Sequence, residues 1–169
     1  MLYISLTVGG SEMSKHEIVE AAGLLADPRK ELVSKYPELF EGEFCLEVGI
    51  GWLKILDALF EVCVEKYRSS VAAYNACSDK EYVSLYRQEM ECAKDALPKF
   101  KQIKEKFGGL RIYATTVNQE DRNYIKFAER FASHVCDCCG SVGTLKNSGG
   151  VWLTRCQSCI PKEETHFHG

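Results

Sequence analysis

The chain lacks a long apolar run, a basic leader and a surplus of positive charge, and each absence excludes a class of protein. No stretch approaches the roughly 20 apolar residues needed to span a bilayer as a helix. The opening Met1-Leu-Tyr-Ile-Ser-Leu-Thr-Val8 is apolar, but it has no basic flank and is too short to cross a membrane, so it is not read as a secretory signal. A net charge of −3 speaks against a dedicated nucleic-acid binder, because phosphate contacts need clustered cations. Catalytic signatures are missing as well: there is no G-x-S-x-G, no H-E-x-x-H and no Cys–His nucleophile pattern. Gly49-x-Gly51-Trp52 lacks the third glycine of a dinucleotide fingerprint. Neither it nor Gly108-Gly109 is followed by Lys-Ser/Thr, so both read as turns. No internal repeat or low-complexity segment appears.

What the chain has in quantity is cysteine, nine in 169 residues. Five of them fall between positions 136 and 159, in the pattern Cys136-Asp-Cys138-Cys139-Gly140 followed by Cys156-Gln-Ser-Cys159. Two C-x-x-C pairs separated by a hairpin-length spacer are a metal-site spacing. Each pair forms a tight knuckle that aims two thiolates at one point. Four thiolates suit tetrahedral Zn²⁺ with no position left for substrate, which is a structural site rather than a catalytic one. The expected ligands are Cys136, Cys139, Cys156 and Cys159, with Cys138 a bystander and His134, His166 and His168 not needed. An iron–sulfur cluster or a redox pair is the competing reading of the same spacing. Cys45, Cys63, Cys77 and Cys92 show no pairing rhythm and read as small buried hydrophobes in a reducing compartment.

A coarse pass along the chain predicts an α+β fold: a mainly helical domain with a small β-sheet and a C-terminal four-cysteine zinc ribbon. Residues 1–12 read as an extension or alternative start before Met13-Ser-Lys15. Residues 13–134 form the α+β domain, 135–160 the ribbon and 161–169 a tail. Helices are expected over His16–Ala26 and Arg29–Phe40, and a short strand in Glu41–Val48, where Phe44, Leu46 and Val48 (the Phe44–Val48 stretch) alternate with polar neighbours. Trp52, Leu56, Leu59, Phe60, Cys63 and Tyr67 recur at helical spacing. Ser78-x-x-Glu81 reads as a capping box opening a helix to about Leu97. Phe100, Ile103 and Phe107 predict a short helix from Pro98, ended by Gly108-Gly109. Leu110–Ala114 alternates as a strand, and Asn118 caps a helix over Glu120–His134 buried through Ile125, Ala128 and Phe131. Strands at Gly143–Asn147 and Val151–Arg155 close the pattern.

Charge is segregated. Lys99, Lys101, Lys104, Lys106 and Arg111 meet a single acid, Glu105, whereas residues 41–65 hold six acids and one lysine. That basic segment, with Tyr113 beside Arg111 on the outer side of the Leu110–Ala114 strand, is the candidate binding region. The ribbon is a poor phosphate binder by comparison, since Lys146, Arg155 and Lys162 are balanced by Asp137, Glu163 and Glu164.

Three segments together resemble a family of small bacteriophage and prophage proteins. They are Glu38-Leu-Phe…Val48-Gly-Ile-Gly51-Trp52, Lys104-Glu-Lys-Phe-Gly-Gly-Leu-Arg-Ile-Tyr113, and the C-x-x-C-G…Trp152-Leu-Thr-Arg-Cys156 ribbon. The likeness covers most of residues 30–160. It departs in the helical stretch around Ser69–Cys92, which looks like an insertion, and at Cys159, where some relatives have histidine. No activity attaches to the family, so the resemblance implies phage origin, a host-cytoplasmic location and a fold. The expectation is a non-enzymatic, zinc-stabilised protein that engages a host protein, a counter-defence inhibitor being one form of that role. Its competitors are a nucleic-acid-binding regulator using residues 99–111 and an enzyme whose pocket involves Arg111 and Tyr113.

Overall fold

The computed structural model describes residues 27–160. The helix expected over His16–Ala26, the 1–12 extension and the 161–169 tail lie outside the described residues. Asp27 caps the first helix, α1 (Pro28–Lys35), by accepting from the Arg29 amide at 3.0 Å, with Pro28 in the first turn where no donor is lost. The helix expected to run to Phe40 stops at Lys35, and a 3₁₀ turn, Pro37–Leu39, follows. Pro37 explains the break, because it has no amide proton and disfavours helical backbone at the residue before it.

The expected Phe44–Val48 strand contracts to β1 (Leu46–Glu47). After a 3₁₀ turn at Ile50–Trp52 comes α2 (Leu53–Ala76), which buries Leu56, Leu59, Phe60, Cys63 and Val64. Helix α3 (Val83–Asp95) begins later than Ser78 predicts. Asp79, not Ser78, organises its entry, accepting the Glu81 amide on its carboxylate at 2.9 Å and the Val83 amide on its carbonyl at 3.1 Å.

The helix expected from Pro98 is instead a strand, β2 (Lys99–Lys106), paired antiparallel with β3 (Gly109–Thr115). Phe100 and Ile103 both face the core although they are three residues apart. A β-bulge between Phe100 and Gln102 inserts one residue, and the resulting spacing imitates helical periodicity. Phe107, the third residue of the supposed helical stripe, sits on the hairpin tip, 71% exposed. Phe107 and Gly108 both have positive φ, 53° and 74°, as a two-residue primed turn requires. The glycines therefore turn a hairpin rather than end a helix.

Helix α4 (Gln119–Ala132) is capped by Asn118, whose side chain accepts the Asp121 amide at 2.8 Å. It packs Ile125 and Ala128 inward; Phe131, expected inside, is 48% exposed. From α4 the Glu129 carboxylate accepts the Ile112 amide at 2.8 Å, which satisfies a donor on the outer edge of β3. The sheet order is β1-β2-β3, with β1 parallel to β2. Behind it Tyr36, Phe40, Phe60 and Phe100 form an aromatic cluster with ring centroids 5.0 to 5.9 Å apart. The α+β architecture with a separate two-stranded ribbon, β4 (Thr144–Ser148) and β5 (Val151–Arg155), agrees with the sequence reading.

Candidate metal centre

Helix α4 ends at Ala132, four residues before Cys136, and delivers the chain into the first knuckle. There the Cys136 carbonyl accepts the Gly140 amide at 2.9 Å, and the Cys136 amide donates to the Ser141 carbonyl at 2.7 Å. Gly140 has φ 78°, so the knuckle closes through a left-handed residue that glycine adopts without strain. The β4–β5 hairpin then reverses the chain at Gly149-Gly150 and returns it to the second knuckle, where the Cys159 amide donates to the Cys156 carbonyl at 3.1 Å.

The Sγ atoms of Cys136, Cys139, Cys156 and Cys159 all lie within 4.8 Å of one another, and those of Cys139 and Cys156 are 3.6 Å apart. A tetrahedron of thiolates at about 2.3 Å from a metal has edges of about 3.8 Å, so the sulfurs fit one ion. Cys138 is exposed and lies outside this group.

The thiols are electrostatically linked. The Ser141 hydroxyl and amide, with the sulfurs of Cys136 and Cys159, hold the Cys139 thiol down at about 6. At Cys136 burial pushes upward, but amide hydrogen bonds from Cys156, Cys139 and Cys138 outweigh it and leave the thiol below its ordinary value. Cys159 is pushed up by hydrogen bonding to Cys139, Cys156 and Cys138.

Polar contacts around the thiols tie the knuckles together. Asp137, 7% exposed, accepts from Arg155 Nε at 2.9 Å, and Arg155 also donates to the Cys159 carbonyl at 3.3 Å. The Asp137 amide donates to the Thr154 carbonyl at 2.9 Å. Arg155, one of the ribbon cations that the sequence sets against Asp137, Glu163 and Glu164, is thus engaged within the ribbon by Asp137 itself.

The ribbon is seated on the core at the two glycine motifs. A β-carbon at Gly49 would collide with the Asp137 carbonyl, and one at Gly51 with the Cys136 carbonyl. Gly51 donates its amide to the Asp137 carbonyl at 2.9 Å, and buried Trp52 donates Nε1–H to the Val135 carbonyl at 2.8 Å. At the other seat a β-carbon on Gly108 would meet the Leu145 side chain, while the Thr154 hydroxyl donates to the Gly108 carbonyl at 2.5 Å. Sequence reasoning took these glycines for turns alone. Their closeness to a structural cysteine pattern left no local signal; only the tertiary fold brings residues 49–52, 107–109 and 135–156 to one junction.

The basic segment divides. Lys99 donates to the Glu38 carbonyl and Lys101 pairs with Glu41, each at 2.6 Å. Lys104, Lys106, Arg111 and Tyr113 share the outer sheet face, where the register sets Lys104 opposite Arg111 and Gln102 opposite Tyr113. Lys104 Nζ lies 5.6 Å from the Tyr113 ring centroid, and Arg111 donates to the Leu110 carbonyl at 2.8 Å. Among the scattered cysteines only Cys63 is buried. Burial, with Asp121 nearby, pushes its thiol up to about 12, which makes it inert at neutral pH. Cys45 and Cys92 are exposed and Cys77 half-buried, against the expectation that all four lie inside. Cys45 lies in the loop before β1, Cys77 is the C-cap of α2 and Cys92 sits on an exposed position of α3, placements that small size alone does not predict.

One further surface was invisible in the sequence. An apolar trough of 360 Å³ between α2 and α4, lined by Ile55, Ala58, Val62, Phe127 and Phe131, adjoins a cleft of 520 Å³ reaching Ile50 and Val142 at the first knuckle. Phe127 and Phe131 stack with centroids 5.8 Å apart and planes 8° from parallel, and Phe127 is 67% exposed. Among the described residues no helix is long and apolar enough to cross a membrane. No protein-family model, curated protein or solved structure matches the chain.

Proposed function

We propose that the chain is a zinc-stabilised binding protein of phage origin that engages a host protein through the α2–α4 trough. Zn²⁺ is the metal best suited to a closed set of four thiolates, and its role is to hold the ribbon rather than to react. The observation that carries the binding reading is the trough. Stacked, exposed phenylalanines beside a rigid junction are what a protein interface presents, and their exposure costs solubility unless something covers them. The occupant that fits is an amphipathic helix of the host protein. The trough is open along its length between two helices, and Lys54, the only charged side chain lining it among the described residues, favours an acid on the flank of the incoming helix. Occupying a host component in this way, a defence factor included, blocks it without catalysis.

The test is capture from host lysate followed by reconstitution with the purified partner. Phe127→Ser and Phe131→Ser should abolish the reconstituted complex at unchanged melting temperature, while Lys104→Glu and Arg111→Glu leave it intact. The reverse pattern, with salt-sensitive binding of nucleic acid lost on charge reversal, supports the alternative reading that the Lys104, Lys106, Arg111 and Tyr113 face holds phosphates.

A further inference from the structure

Another cleft, of 370 Å³, opens where α2, the end of α3 and the start of α4 meet, and shares Val62 and Tyr124 with the apolar trough. Its charged lining residues are Glu65, Glu120 and Asp121 against Lys66, and its walls include Tyr67 and Tyr124. Asp121 is 7% exposed, which is an expensive place for a carboxylate without a cation. Asn118 Nδ2 donates to its Oδ2 at 2.7 Å. Its Oδ1 has no hydrogen-bond partner among the described residues, and no Lys, Arg or His among them forms an ion pair with Asp121. Among the described residues no buried side-chain oxygen or nitrogen is left without a partner, so Oδ1 is reached from outside, and Asp121 lines the cleft. Burial holds the Asp121 carboxyl above its ordinary value, and the neighbouring Glu120 charge adds to the push despite the Asn118 hydrogen bond. At the rim Tyr124 donates its hydroxyl to Glu120 Oε1 at 2.7 Å, which fixes the phenol ring along one wall.

From these observations we propose that the cleft binds an aliphatic ammonium group, with Asp121 Oδ1 as its counter-charge. Aromatic walls accept the methylenes and the cation, and a rim of Glu65 and Glu120 draws positive charge in. The Asn118 bond alone accounts for half of the Asp121 carboxylate. A capping residue on an exposed helix start needs no cleft, no second tyrosine wall and no acidic rim.

The test uses ¹⁵N-labelled full-length protein titrated with butane-1,4-diamine, butylamine and, as the neutral counterpart, butan-1-ol, all at constant ionic strength. Saturable shifts of the amides of Asn118–Tyr124 and Cys63–Tyr67 are expected with the amines and not with the alcohol. Asp121→Asn keeps the acceptor for Asn118 and the fold, and should weaken amine binding by at least about tenfold, the loss of one charge-assisted hydrogen bond. An Nα-acetyl-lysine amide arm separates sources: tighter binding than the diamine identifies a lysine side chain of a protein, weaker binding a free amine. Equal response to the alcohol, absence of saturable shifts, or an Asp121→Asn protein that binds the amines as well as the parent overturns the proposal.

Discussion

The core and the ribbon of this chain are held by different physics. In the core, Trp52, Phe60, Phe100, Ile103 and Leu110 are at most 1% exposed, and four aromatic rings interlock behind the sheet. In the β4–β5 hairpin only Thr154 is buried, while Leu145, Val151 and Trp152 are 45% to 58% exposed. The ribbon therefore has no hydrophobic core of its own. It leans on the Asp137–Arg155 pair, on the seats at Gly49, Gly51 and Gly108, and on the crosslink that four converging thiolates can make through an ion. One region is stabilised by excluding water, the other by polar contacts to its neighbour around a set of thiolates that can hold an ion.

The sharpest way to break that contrast is to remove the metal. Chelation, Cys136→Ser or Cys159→Ser should abolish amide-exchange protection across 135–160 while the helical signal of the core persists. Metal analysis of the parent should give one Zn²⁺ per chain. A Cys136→Ser protein of unchanged thermal stability removes the basis for the site.

Next in size is the seat. Gly51→Ala forces a β-carbon into the Cys136 carbonyl and should cost about 3 kcal/mol, the upper range for overpacking. Gly42→Ala is the control. It has φ 68° with nothing within 4 Å of the added carbon, so only backbone strain of about 1 kcal/mol applies. Urea unfolding compares the two, and equal losses would mean that the junction yields to the extra carbon.

A smaller effect tests the core alone. Asp57 accepts from Lys35 at 2.8 Å and from the buried Tyr36 hydroxyl at 2.6 Å, and these bonds, Lys35 first, lower its carboxyl below the usual range. A depressed carboxyl contributes stability that is complete above its unfolded value and lost as pH falls through its folded one. Asp57→Asn should therefore cost at most about 1 kcal/mol at pH 7, given its exposure, and the gap should close in acid. A gap that widens in acid has the wrong sign for this network. Smallest of all are Arg111→Ala and Tyr113→Ala. Both side chains are exposed, so melting should move by no more than about 0.5 kcal/mol equivalent. Stability lost together with host function would place them in the scaffold.

The contrast also explains what could be read in advance. The cysteine spacing is local, so the ligand set and the hairpin between its halves were legible. So were α2 and α4, where long amphipathic periodicity survives any detail of packing. The β2 strand was not, because a bulge at Lys101 moved Phe100 and Ile103 onto a helical spacing. Nor were the glycine seats, since a close approach between residues 51 and 136 leaves no trace in either segment. The trough was hidden for a related reason: Phe131 follows the apolar stripe of α4, and only the packing angle against α2 decides that it stays outside.

The bond from Trp52 to the Val135 carbonyl spans 83 positions. A ribosome adding 5 to 20 residues each second needs roughly 4 to 17 s to cover that interval. During that time the nascent chain holds Trp52 and the Gly49–Gly51 seat without the ribbon that covers them. Docking of the ribbon onto Trp52 thus follows that residue's synthesis by seconds, and a ribbon that failed to close its knuckles would leave the core with an uncapped indole.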